Sequence, residues 1–214
     1  MDATYTEMIG NAKIEIFRDE DAQNPRTEWD NLGTIFARHR RYVFEDSKKE
    51  TEMFFSDAEN EEEVDPRNCW GKEEVYSSCG EKINVCILPL YLFDHSGLSI
   101  SCNSFNDSWD SGLLGFIYAT EDTLKDEKFV NEKGEVDWER AKECLKAEVE
   151  TFDQYLHGDV YGFQITYLNP LTGDEEDWDS CWGFYGEKTC LEEAKARAKT
   201  VDEASLTFDL AEAS

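Results

Sequence analysis

The chain has 214 residues, of which 40% are hydrophobic and 13% aromatic, and its 49 Asp and Glu against 21 Lys and Arg give a formal net charge of -28. The apolar content is sufficient for a folded core and excludes a disordered acidic chain, while the charge argues against direct binding to DNA, RNA or an anionic membrane. Three explanations of the acidity stay open: a saline habitat, a cation site, or carboxylates that imitate the phosphates of nucleic acid.

The cysteines and the hydropathy pattern indicate a cellular compartment. Seven cysteines occur without Cys-x-x-Cys spacing, the N-terminus has no secretory apolar region, and no apolar run reaches about 18 residues. We therefore expect a cytoplasmic protein with reduced thiols. Cys69 and Cys79 with His39 or His95 are spaced too irregularly for a typical zinc site, so inert thiols are favoured.

The first half of the chain combines weak elements with an acidic segment. Residues 1–12 have no strong period and are expected to be a loose end or a short helix, Lys13–Phe17 alternates as a strand, and Thr34–Phe44 is predicted to be a second strand. Residues 45–82 are interpreted as an acidic insert, because residues 57–65 contain six carboxylates and no basic residue.

Apolar runs in the middle of the chain predict a β-hairpin and a further strand. Ile83–Phe93 is apolar on both faces, as expected for a central strand, and Leu98–Cys102 alternates as its partner across a turn that contains Gly97. Leu113–Ala119 is predicted to be another buried strand. Thr120 is suited to cap a short helix.

The strongest periodic signal is a helix over Trp138–His157, with Asp137 as its N-cap and Gly158 after its C-terminus. Its apolar positions recur at steps of three and four residues and predict a face that covers a sheet. The acidic residues opposite are expected to point outward: Glu139, Glu143, Glu150 and Asp153.

The C-terminal part predicts a second hairpin and a final helix. Tyr161–Tyr167 and Trp178–Tyr185 are expected to be antiparallel strands, Thr189–Glu192 has the spacing of a capping box, and residues 201–214 are expected to be a frayed acidic tail. The resulting fold class is α+β, a central, mainly antiparallel sheet covered by one long amphipathic helix and one or two shorter helices. Residues 13–200 are predicted to form a single domain.

Catalytic chemistry has little support in the pattern. His39 lacks a visible nucleophile, and His95 beside Ser96 lacks the Gly-x-Ser-x-Gly elbow of a hydrolase. We assign no catalytic residue and no cofactor, and the sequence favours a protein that is not an enzyme. Binding of Ca²⁺ or Mg²⁺ stays open, although the loop after Arg18 lacks the calcium-loop rhythm.

Several motifs together carry a family resemblance. They include Trp29-Asp-Asn-Leu-Gly33, His39-Arg-Arg-Tyr42, Asp94-His-Ser-Gly97, Trp109-Asp-Ser-Gly112 and Asp179-Ser-Cys-Trp-Gly-Phe-Tyr-Gly186. With these motifs the chain resembles a family of acidic proteins of phages and mobile elements, for which no activity or catalytic residues are established. The resemblance covers most of residues 13–186 and omits the segment around residues 57–65.

Association with mobile elements implies a counter-defence role, of anti-CRISPR or anti-restriction type, acting in the cytoplasm of a host cell. The carboxylates would replace DNA phosphates on a basic, nucleic-acid-binding host protein. The residues expected to bind that partner are acidic and lie in the insert and on the long helix: Asp57, Glu59, Glu61, Glu62, Glu63, Asp65, Glu139, Glu143 and Glu150.

Two alternatives stay open beside mimicry. The first is a module that binds a small ligand or a divalent metal, because aromatic rings can stack on a ligand that carboxylates orient. Its residues come from the polar turns: Asp94, His95, Ser96, Asp107, Trp109, Asp110, Asp179 and Trp182. The second is an accessory protein whose acidity matches a saline habitat.

Overall fold

The computed structural model describes residues 2–37, 39–44, 46, 75–76, 82–95, 97–106, 109–170 and 172–212, with the backbone alone described at 75–76, 82 and 201–212. The strands are β1 (Tyr5–Ile9), β2 (Ala12–Arg18), β3 (Thr34–Ala37), β4 (Val75–Tyr76), β5 (Lys82–Ile83), β6 (Val85–Asp94), β7 (Leu98–Ser101), β8 (Ser111–Thr120), β9 (Val160–Leu168) and β10 (Glu175–Tyr185). The helices are α1 (Pro25–Glu28), α2 (Glu121–Asp126), α3 (Trp138–Leu156) and α4 (Glu187–Glu212).

The fold is α+β with antiparallel sheets, as predicted. Where the sequence predicts one domain over residues 13–200 with one central sheet, the structure has two compact units, each with a four-stranded sheet. Unit 1 consists of Met1–Gln23 with Gly158–Ser214, and unit 2 is Asn24–His157. In the described part of the chain, no helix has both the length and the apolar composition needed to cross a membrane.

Unit 1 is a sheet in the order β1-β2-β9-β10 with α4 packed on one face. Period-two alternation places the apolar side chains of β2 and β9 toward the helix, and all are buried: Ala12, Ile14, Ile16, Tyr161, Phe163, Ile165 and Tyr167. From α4 come Cys190, Ala194 and Ala198, four residues apart and fully buried. Such small side chains let a helix pack closely against a sheet.

Unit 2 contains a sheet in the order β3-β8-β6-β7, against which α3 packs. The predicted β6–β7 hairpin and the strand β8 are confirmed. Asp137 accepts a hydrogen bond from the N–H of Arg140 as the N-cap of α3, and Thr120 caps α2 in the same way. Gly158, after the end of α3, has a φ of +64°, the left-handed conformation that glycine adopts without strain.

Three local predictions are corrected at the ends of the chain. Residues 5–9 are not loose, because β1 pairs antiparallel with β2 from Tyr5↔Ile16 to Ile9↔Ala12. Residues 201–212 are helical rather than irregular, since the backbone of α4 continues to Glu212. The capping box predicted at Thr189–Glu192 lies inside α4, which begins at Glu187 after Gly186.

Two further predictions change within unit 2. The strand predicted over Thr34–Phe44 ends at Ala37 as β3. Asp153, expected to point outward from α3, instead accepts hydrogen bonds from the backbone N–H of Ile100 at 2.7 Å and from Oγ of Ser99 at 2.9 Å. The Asp153 carboxylate therefore holds the edge strand β7 against α3. It supplies the acceptor that a backbone N–H at a sheet edge requires.

Candidate functional site

The acidic residues predicted to bind a partner fall into two groups. The insert carboxylates lie outside the described residues: Asp57, Glu59, Glu61, Glu62, Glu63 and Asp65. Glu139, Glu143 and Glu150 are exposed on α3, as expected. At about 100° per residue these three glutamates share one side of the helix.

The row on α3 is not uniformly acidic. Lys146 is exposed on the same side of the helix, between Glu143 and Glu150. Lys142 pairs with Glu139 through Nζ and Oε1 at 2.9 Å. Three carboxylates spread over about 16 Å of helix axis, with lysines between them, give a low and mixed charge density.

A denser acidic row, absent from the partner-binding residues that the sequence predicts, lies at the start of β10. Asp174, Glu175, Glu176 and Asp177 follow one another and are all exposed. No ion pair joins these four side chains to another residue in the described part of the chain, although the field of Glu175 helps to raise the pKa of Lys13. The consecutive run Asp174-Glu-Glu-Asp177 is the sequence feature from which this acidic row could be predicted.

Strand β10 is the outer strand of its sheet, and two β-bulges interrupt it. The register passes from Asp177↔Thr166 to Asp179↔Ile165, which leaves Trp178 as the extra residue. It shifts again between Cys181 and Phe184, next to Trp182. A bulge inserts an unpaired residue and redirects a side chain, so each of these exposed tryptophans lies at an irregular point of the edge.

The two tryptophans have different environments. Trp182 is 41% exposed and lies over Gly162, where an added Cβ would come within 2.2 Å of the indole ring. Its ring centroid is 6.1 Å from that of Phe17. Trp178 is 47% exposed, and its ring centroid lies 6.3 Å from that of Tyr167. Trp182 is therefore packed on the sheet, whereas Trp178 borders a cleft.

The cleft beside Trp178 has a volume of about 360 Å³. It is lined by residues of β9 and β10: Gln164, Ile165, Asp177, Trp178, Asp179 and Ser180. Asp179, a predicted ligand-binding residue, accepts a hydrogen bond from Nη1 of Arg197 at 2.9 Å, and Nε of Arg197 reaches Glu193 at 2.8 Å. These carboxylates raise the pKa of Arg197 and keep it charged.

In unit 2 the structure brings together Asp94, Trp109 and Asp110 of the predicted ligand site. They line an open cleft of about 320 Å³ at the end of β6 and the start of β8, together with His39 and Arg41. The backbone N–H of Asp94 donates to the carbonyl of Asp110 at 2.8 Å, which fixes the two segments side by side.

The polar groups of this cleft are tied to one another. Arg41 forms an ion pair with Asp94 and lies over the ring of Tyr42, 5.5 Å from its centroid. His39 stacks on Tyr42 with ring centroids 5.0 Å apart, and its Nδ1 accepts the backbone N–H of Arg41 at 3.3 Å. The cleft thus offers a fixed cation and aromatic surface, and Trp109 is 93% exposed beside it.

The remaining predicted ligand residues are placed as follows. His95 is exposed, and its Nε2 lies 4.0 Å from Oδ2 of Asp110. Ser96 and Asp107 lie outside the described residues, and Asp179 and Trp182 belong to unit 1. Within the described residues, no group of three or more His, Cys, Asp or Glu side chains is arranged to hold a metal ion.

The thiols in the described part of the chain are free cysteines, and several are shielded. Burial raises the pKa of Cys86 and Cys102 to about 11 and that of Cys190 to about 12. Since the thiolate is the nucleophile and the metal ligand, these three side chains are unreactive near neutral pH.

Comparison of the chain with known proteins gives no relative. No protein-family model, no curated protein and no solved structure matches it. The resemblance to acidic proteins of phages and mobile elements therefore stays a prediction from the motifs.

Proposed function

We propose that this chain is a non-enzymatic acidic protein that binds a basic partner at a surface where the partner otherwise binds nucleic acid. The observation that carries the proposal is the row of four exposed carboxylates from Asp174 to Asp177 on an outer strand. In its specific form, which the motif resemblance suggests, the chain inhibits a host defence complex of CRISPR or restriction type in the host cytoplasm.

The charge density of this row supports the proposal. An extended strand rises about 3.3 Å per residue and its side chains alternate between the two faces, so four consecutive carboxylates give one negative charge in about 3.3 Å of strand and one in about 6.6 Å on each face. One strand of DNA carries a phosphate in about 3.4 Å of helix axis. A lysine or arginine groove that surrounds the exposed edge and meets both faces of β10 would therefore find a linear charge density similar to that phosphate row, without the lysines that interrupt the row on α3.

Binding of this kind depends strongly on salt. Ion pairs between exposed groups weaken as the Debye length falls, from about 10 Å at 0.1 M to about 3 Å at 1 M. We expect a partner retained on the immobilised protein from a nuclease-treated lysate at low salt to be released both by high salt and by a short DNA duplex. Release by the duplex tests whether DNA and this protein bind the same surface of the partner.

Matched charge variants locate the binding surface. One variant carries Asp174→Asn, Glu175→Gln and Glu176→Gln, and another neutralises Glu139, Glu143 and Glu150. We expect the first to lose the duplex-sensitive partner and the second to retain most of it. A third variant, which neutralises the six carboxylates of residues 57–65, measures the contribution of the insert. Retention that survives all three variants, or that the duplex does not reverse, would show that mimicry is wrong.

A second candidate function is supported by the cleft that Asp94, Trp109 and Asp110 share with His39 and Arg41. Fixed polar groups beside an exposed indole are typical of a site that orients a small ligand. Millimolar Ca²⁺ or Mg²⁺ should raise the melting temperature of the native protein more than that of the Asp94→Asn, Asp110→Asn variant if the cleft binds a cation. Equal shifts would exclude a metal there.

A further inference from the structure

We propose that the cleft beside Trp178 is the place where the basic partner inserts an arginine side chain. The inference rests on the proposed function and names one anchoring point within it. The cleft combines an indole that is 47% exposed with the carboxylate of Asp177, and its volume is about 360 Å³. A guanidinium can stack on an aromatic ring while its N–H groups donate to a carboxylate, and this cleft offers the two together.

The bulge explains why the indole is available. Trp178 is the extra residue between the pairs Asp177↔Thr166 and Asp179↔Ile165, so it has no partner position on β9. In a regular strand it would alternate with Asp177 to the opposite face. The insertion instead lets Asp177, Trp178 and Asp179 all line one cleft.

The chain already holds one of its own arginines by the same chemistry. The guanidinium of Arg197 donates to Asp179 and Glu193 and lies over the ring of Phe163, 5.6 Å from its centroid. Asp179 is thereby held in place by Arg197, which leaves Asp177 as the carboxylate available to a partner. Within the described residues, no ion pair joins Asp177 to another side chain.

Charge complementarity selects the occupant. The cleft follows directly after the exposed carboxylates Asp174, Glu175 and Glu176 on the same strand, so a segment bound along this edge would meet negative charge beside the indole. A neutral or acidic strand that approached this edge would meet unpaired carboxylates, a common protection of edge strands against self-association. An extended, arginine-containing segment that lies along residues 174–177 meets favourable charge there.

The test uses a defined probe, a peptide of alternating arginine and glycine, with a second peptide in which uncharged citrulline replaces every arginine. We expect the full-length protein to bind the arginine peptide and not the citrulline peptide. Trp178→Ala should weaken binding by about fivefold, in the range of an exposed cation–π contact, and Trp178→Phe should retain most of the affinity. Asp177→Asn should weaken binding to a similar extent.

Trp29→Ala is the matched control, since Trp29 is similarly exposed at 42% and lies in unit 2. Urea unfolding of each variant shows whether the fold persists. If Trp178→Ala and Trp29→Ala bind the arginine peptide equally, or if the citrulline peptide binds as well, the inference is overturned. Should the triple variant at residues 174–176 still lose the lysate partner in that case, the proposed function stands without this anchoring point.

Discussion

Arg26 and Glu148 lie 122 residues apart in the sequence, and Nη1 of Arg26 donates to Oε2 of Glu148 at 2.9 Å. The same guanidinium pairs with Asp46 and donates to the carbonyl of Gly33 at 2.6 Å. Glu148 also accepts the backbone N–H of Leu32 at 2.6 Å. One buried cation therefore joins α1, the loop after it and α3, and its side chain is only 5% exposed.

Arg26→Ala should destabilise unit 2 by about 3–5 kcal/mol, because it leaves two carboxylates in a poorly solvated site without their cation. The Arg26→Lys variant should lose less stability, since lysine keeps the positive charge although it lacks the planar guanidinium that donates to both carboxylates. Urea unfolding followed by circular dichroism measures both. A loss below about 1 kcal/mol for Arg26→Ala would mean that water already screens the cluster.

The same variant has an expected pH dependence. Burial raises the pKa of Glu148 even beside Arg26. A carboxyl whose pKa is higher in the folded state binds more protons there, so its contribution to stability improves as the pH falls toward that pKa. Removing Arg26 also removes the positive charge that lowers this pKa, so Glu148 of the variant takes up its proton at a higher pH than Glu148 of the native protein. The deficit of Arg26→Ala relative to the native protein should therefore shrink between pH 7 and pH 5.

Gly162→Ala should disturb the packing of Trp182, because the new Cβ would lie 2.2 Å from its indole ring. We expect a loss of about 1–3 kcal/mol, typical of overpacking, and a shift in tryptophan fluorescence. The double variant Gly162→Ala, Trp182→Ala should lose less than the sum of the single losses, since the clash is then absent. Additive losses would contradict the contact.

The buried thiol of Cys190 should lower the stability of the native protein at alkaline pH. Burial raises the pKa of its thiol from 9.0 to about 12. Above pH 9 the unfolded thiol releases its proton while the buried thiol keeps it, so the free energy of unfolding falls as pH rises toward 12. The native protein should therefore lose more stability than Cys190→Ala between pH 9 and 11. Parallel profiles for the two proteins would refute the burial of this thiol.

Added salt should stabilise the native protein. With a formal net charge of -28, self-repulsion opposes compaction, and it is screened as the Debye length falls from about 30 Å at 0.01 M to about 3 Å at 1 M salt. The melting temperature should rise over this range and then level off. A continued rise at multimolar NaCl would support the saline-habitat explanation of the acidity.

Local signals were sufficient for much of the fold. Asp137 and Gly158 mark the two ends of a periodic apolar pattern, so α3 could be predicted almost to the residue. The strands β6, β8 and β9 could be predicted because runs of apolar residues are bounded by turn residues. In each case the signal that predicts the element lies within a few residues along the chain.

The structural features that the sequence did not predict depend on interactions between residues far apart in the chain. In β1 the position facing α4 is occupied by Glu7, whose carboxylate pairs with Lys195 at 2.7 Å, so the apolar alternation is broken. The bulge at Trp178 depends on the register with β9 and leaves no local pattern. For the candidate site, the turn residues Asp94, Trp109 and Asp110 were predicted together, whereas the contribution of Arg41 depends on tertiary pairing.

The pairing of β2 with β9 has a consequence for synthesis on the ribosome. The backbone N–H of Asp19 donates to the carbonyl of Val160 at 2.8 Å, so unit 1 closes between segments separated by the whole of Asn24–His157. At about 5–20 residues per second, the N-terminal hairpin waits on the order of ten seconds for its partner strand. During that interval the apolar face of β2, with Ile14 and Ile16, is without its sheet neighbour and is a candidate substrate for a nascent-chain chaperone.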